Sequence, residues 1–96
     1  MDEQQLNAAL TGRVLTHQGV TYGFTGARVR TTPITPNAVD VEFAAARVDG
    51  TGEPIRGELH LSLTSFNDRE FLLEAIDHTV TAILDGRLPP GTRELL

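Results

Sequence analysis

Two runs of strict alternation occupy the middle of the chain. Val39, Val41, Phe43 and Ala45 alternate with Asp40, Glu42, Ala44 and Ala46. After the turn-rich stretch Asp49-Gly50-Thr51-Gly52-Glu53-Pro54, Ile55, Leu59, Leu61 and Leu63 alternate with Arg56, Glu58, His60 and Ser62. A period of two on either side of a Gly/Pro turn predicts an antiparallel strand pair with one buried and one solvated face. One register sets Glu42 opposite His60; sliding the pairing by two residues sets Ala44 there instead.

Upstream, Arg13–Arg30 is rich in β-branched and aromatic residues and interrupted at Gln18-Gly19 and Thr25-Gly26. It predicts a hairpin of 13–17 and 20–24, with Val20, Tyr22 and Phe24 on one face. Residues 27–31 continue as a strand after a bulge at Gly26. Thr32-Pro33-Ile34-Thr35-Pro36-Asn37 reads as an extended connector, because proline cannot serve a central strand.

Helical spacing appears at both ends. Residues 2–10 place Leu6, Ala9 and Leu10 on one face, with acids in the first turn and a stop at Thr11-Gly12. Near the other end, Asn67 is the expected N-cap, with Glu70 at the capping-box position and Phe66 stapled onto Phe71. Gly86 and Pro89-Pro90 end that helix. Its apolar arc is wide: Leu72, Ile76, Thr79, Val80 and Ile83 form the centre, Leu73 and Leu84 one flank, Phe71, Ala75 and Ala82 the other. The arc spans roughly 220°, where about 100° suffices to face one sheet. The excess must be covered by Leu6 and Leu10 of the first helix or by another molecule.

Composition adds constraints. Ninety-six residues, 40% of them hydrophobic, suit one domain with a modest core. Cysteine is absent, which excludes disulfides and fits a reducing compartment. All basic residues are arginine, so lysine chemistry is excluded as well. Neither a secretory signal nor an apolar run of membrane-spanning length is visible, and the expected address is cytoplasmic. The net charge of −5 is unevenly spread: Arg13, Arg28 and Arg30 lie in an acid-free early segment, whereas Asp68, Glu70, Glu74, Asp77 and Asp85 crowd the last helix. An acidic total disfavours binding to nucleic acid or to anionic membranes.

Candidate chemistry is sparse. Asp40, Glu42, His60 and Ser62 share the solvated strand face, but no oxyanion donor or nucleophile turn accompanies Ser62. His17, His60 and His78, with Asp77, lack metal-ligand spacing, and Glu74 and His78 at i,i+4 read as a surface ion pair. Pro33-Ile34-Thr35-Pro36 satisfies a bare P-x-x-P pattern. Gly19, Gly23 and Gly26 precede no helix and form no phosphate loop.

The expected fold is α+β over residues 1–96: a short helix (1–12), an antiparallel sheet of about four strands (13–64), a helix packed on one sheet face (67–85) and a tail (86–96). The expected function is a non-enzymatic protein–protein interaction module without cofactor or metal, self-associating or part of a larger assembly. Phe71, Ala75, Ala82, Leu95 and Leu96 form its partner surface. Two alternatives stand beside it: nucleic-acid binding through Arg13, Arg28 and Arg30, and an acidic, antitoxin-like inhibitor that covers a basic partner with the last helix.

Overall fold

The computed structural model describes residues 1–32 and 34–96. Its elements in chain order are α1 (Glu3–Leu10), β1 (Val14–His17), β2 (Val20–Thr32), β3 (Thr35–Arg47), β4 (Ile55–Ser62), α2 (Leu63–Phe66), α3 (Arg69–Leu84) and β5 (Arg93–Leu95). The α+β expectation holds. The sheet runs β1-β2-β3-β4-β5, with antiparallel pairing from β1 to β4 and a fifth strand, beyond the expected four, lying parallel to β4.

The sheet is curled, and both long helices fill its concave side. Val39, Val41 and Phe43 of β3 and Leu59 and Leu61 of β4 enter one core with Leu72, Ile76 and Val80 of α3 and with Leu6 and Leu10 of α1. The expected alternation is therefore correct: each of these residues is 3% exposed or less. Because the sheet curls, α3 meets β4 on one side and β1 on the other. Leu73 joins the same core, Ala82 and Ile83 are buried as well, and most of the wide apolar arc is thus consumed within the chain.

Local chemistry explains the elements. Asp2 caps α1 in a reciprocal capping box with Gln5. The Gln18-Gly19 reversal between β1 and β2 has φ of 50° and 79°, the pair of positive values that a tight hairpin with right-handed twist requires. The predicted bulge is present, with the register of β2 against β3 shifting between Phe24 and Gly26. At the end of α3, the Gly86 N–H donates to Ile83 O and the Arg87 N–H to Ala82 O, a Schellman closure.

Several boundaries differ from expectation. The connector at 32–37 is far shorter, since Thr32 pairs with Thr35 and β3 already contains Pro36. Neither Pro36 nor Asn37 has a ladder partner among the described residues, so the missing proline N–H costs no strand hydrogen bond. Pro33, and with it one end of the P-x-x-P pattern, lies outside the described residues. Leu63 is not the last inward strand residue. It opens α2, capped by Ser62, and is 42% exposed. The N-cap of α3 is Asp68, whose carboxylate accepts from the Phe71 N–H, while Asn67 closes α2. Glu70 therefore misses the capping-box position by one residue. Residues 93–95 of the expected tail are strand β5.

Candidate functional site

The tail is built onto the body by specific bonds. Gly91 N–H donates to Arg56 O at 2.8 Å, Glu58 N–H to Thr92 O at 2.9 Å and Leu96 N–H to His60 O at 2.8 Å. From the concave side, the fully buried Thr79 hydroxyl donates to the Glu94 carboxylate at 3.0 Å. These contacts set Leu96 beside α3. Together with Phe71, Glu74, Ala75, His78 and Glu94 it lines a groove of about 250 Å³. Phe71, Ala75 and His78 recur at helical spacing along one stripe of α3. Phe71 is 41% exposed and Leu96 52%, the principal apolar surface of this groove.

The proposed partner residues are thus only partly gathered. Phe71, Ala75 and Leu96 share the groove. Ala82 is 2% exposed and does not belong to any partner surface; the chain leaving α3 folds back on it, with the Arg87 and Leu88 N–H groups donating to its carbonyl. Leu95, 73% exposed, pairs with His60 and projects with it from the convex side, outside the groove.

The convex face carries an ionic network in a register two residues from the one that pairs Glu42 with His60. Asp40 is opposite His60, and Glu42 is opposite Glu58. Asp40 Oδ1 lies 2.7 Å from His60 Nδ1 and 3.0 Å from Arg93 Nη2. A proton on Nδ1 satisfies Asp40; the Arg93 nitrogen 3.0 Å from that same Nδ1 is also a donor, so the shared carboxylate oxygen holds the pair together. The His60 hydrogen bond and then that of Arg93 hold the Asp40 carboxyl below its ordinary value. Glu42 and Glu58 both engage Arg30. Ser62 stands apart from this network, its hydroxyl capping α2 through the Ser65 N–H.

The early basic segment and the late acidic helix turn out to be partners. Arg13 grips Asp77 at 2.6 Å, and His17 Nε2 lies 2.6 Å from Asp85 Oδ1. The His17 hydrogen bond is the main reason the Asp85 carboxyl is lowered. Arg13, Arg28 and Arg30 therefore form no common basic surface: Arg13 is spent on α3, Arg30 on two carboxylates, and of the three Arg28 has no ion pair among the described residues. The acidic helix is likewise partly neutralised within the chain. Glu74 and His78 line the same groove without forming the expected ion pair. The three histidines are dispersed, and no group of three or more potential metal ligands occurs among the described residues. Among the described residues no helix is long and apolar enough to cross a membrane.

Sequence reasoning missed two features of these surfaces. Arg93 joins Asp40 and His60 only because β5 adds to the sheet, and no pattern in three residues signals that. Asn7 reaches from α1 to the β2 backbone, donating to Ala27 O and accepting from Ala27 N–H, both at 2.9 Å. Glu3 accepts from Val29 N–H at 2.8 Å. With β1 pairing only as far as Gly23, α1 side chains stand in for a neighbouring strand along part of the open edge of β2.

An α+β domain with a curled five-stranded sheet is the class that the fold defines. Compared with known proteins, the chain matches no family model, no curated protein and no solved structure.

Proposed function

We propose that this domain is a non-enzymatic protein-binding module that associates with a second copy of itself through the α3 groove. The observation that carries the reading is Phe71. It alone among the large apolar residues of α3 is exposed, and it borders an apolar groove completed by Ala75 and Leu96. Hydrogen-bonding complementarity favours a second copy as the occupant. Glu74 and His78 lie on the same stripe and form no ion pair among the described residues. A two-fold antiparallel packing of α3 on α3 would bring Glu74 of each copy beside His78 of the other. Ala75, near the crossing, is small enough to let the helices approach.

Sedimentation equilibrium over a wide concentration range tests the reading. The wild type is expected to dimerise with rising concentration, and Phe71→Asp to remain monomeric with an unchanged melting temperature, because Phe71 lies outside the buried core. A wild type that stays strictly monomeric at high concentration would overturn the proposal.

A further inference from the structure

The convex sheet face holds a second feature, independent of the association surface. Arg28, Arg30, Arg56 and Arg93 project from it, against the carboxylates Asp40, Glu42 and Glu58. This one face is therefore arginine-rich on a protein whose net charge is −5. The three carboxylates are all engaged by Arg30 or by Arg93 and His60. Arg28 and Arg56 are left over, with no ion pair among the described residues. Arg28 stands directly opposite Glu42, yet Glu42 binds Arg30; Arg56 lies two residues from Glu58 on the same face, yet Glu58 also turns to Arg30.

The two free guanidinium groups flank a trough. Ala44 sits between Gly26 of β2 and Arg56 of β4 in the ladder, and Arg28 follows Gly26 by two residues. The floor of Gly26 and Ala44 carries almost no side chain, while long arginines rise on both sides. β2 and β4 are two strand spacings apart, roughly 10 Å, so the arginines approach the space above Ala44 from opposite sides. The resulting cavity is about 440 Å³ and includes Asn7, Thr25 and Glu42 in its wall. That wall is pinned: Thr25 Oγ1 donates to Ala44 O at 3.3 Å, and Asn7 holds the Ala27 backbone.

We propose that this trough binds a phosphate group, free or as the ester of a small molecule. Two guanidinium forks supply the donor geometry and the charge that a phosphate dianion takes, and neither has to leave an existing ion pair first. The cavity falls within the range of about 300–1,000 Å³ found for small-ligand sites, which leaves room for an organic group beside the phosphoryl oxygens. Glu42 does not oppose the anion with a free charge, because Arg30 holds it.

The test is an NMR titration of the intact ¹⁵N-labelled chain with inorganic phosphate and with methyl phosphate, at ionic strength held constant with sodium chloride. Saturable shifts are expected at the amides of Gly26, Arg28, Ala44 and Arg56 and at the Nε–H groups of both arginines. R28A and R56A should each weaken binding about tenfold or more. R69A, which removes another arginine without an ion pair but outside the trough, should leave it unchanged. R28K and R56K retain the charge without the planar fork and should weaken binding as well, so the outcome does not rest on the alanine variants alone. Tighter binding of methyl phosphate assigns an ester; equal binding assigns the free ion. Shifts that do not saturate, or equal weakening by R69A, would mean general charge screening and would overturn the site.

Discussion

The ring of Phe43 lies beneath Gly57, its cross-strand partner, so closely that a Cβ at Gly57 would stand 2.8 Å from Phe43 Cζ. The same Cβ would lie 3.3 Å from Thr79 Cγ2 of α3. Gly57 is thus the place where β4 admits both the largest side chain of β3 and the close approach of the helix. Gly57→Ala is expected to destabilise the domain by about 1–3 kcal/mol through overpacking. Phe43→Leu in the same chain should recover part of that loss. Urea unfolding of the two single variants and the double variant measures it; an additive double variant would contradict the contact.

Leu61 is 1% exposed within the core shared by the sheet and α3. Leu61→Ala is expected to cost about 2–5 kcal/mol, the sum of lost burial and the cavity left behind. A melting temperature equal to that of the wild type would remove Leu61 from the core.

Asn7 ties α1 to β2 with one donor and one acceptor, both meeting the backbone of the buried Ala27. Asn7→Ala leaves both backbone groups without a partner and is expected to cost about 1–3 kcal/mol. Asn7→Asp keeps an acceptor but loses the amide donor, so it should remain destabilised. Hydrogen exchange offers a local readout: the Ala27 amide should lose protection in Asn7→Ala while the amides of β4 keep their relative order.

Acid should weaken the fold through two named carboxylates. Hydrogen bonds from His60 and Arg93 lower Asp40, and one from His17 lowers Asp85, below the ordinary value of 3.8. A carboxyl with a depressed folded-state pKa stabilises the fold above its unfolded pKa, and that contribution is lost as pH falls through the folded value. Between about pH 5 and pH 2, wild-type stability should fall more steeply than that of the Asp40→Asn, Asp85→Asn double variant. Urea midpoints across that range decide it; parallel curves would show that neither pair contributes.

Periodicity, with glycine, proline and capping signals, was enough to place both major helices, the two central strands, the bulge at Gly26 and the inward set from Val39 to Leu61. These features depend on neighbours two, three or four residues away, and a side chain's direction follows from that spacing. The buried faces of the two central strands were legible for the same reason. Small errors appeared where competing local signals lay one residue apart, as between Asn67 and Asp68 at the start of α3.

Register, curl and the fifth strand depended on residues far apart in the chain. Sliding β3 against β4 by two residues leaves every apolar side chain facing inward, so alternation cannot separate Asp40 from Glu42 as the partner of His60. Packing separates them, because only one of these registers sets Phe43 over Gly57. A bare glycine among the inward positions of β4 was the one available clue. β5 spans three residues, too few to show a period, and its pairing exists because α3 returns the chain to the edge of β4. Tertiary structure also decided which part of the wide apolar arc of α3 stays exposed. Ala82 and Phe71 lie on the same flank of α3, yet Ala82 is buried where the chain folds back after the helix and gives the Arg87 and Leu88 N–H groups to its carbonyl, whereas Phe71, at the other end of that flank, stays 41% exposed. Helical spacing fixes the flank, and only the path of the returning chain decides which part of it is covered.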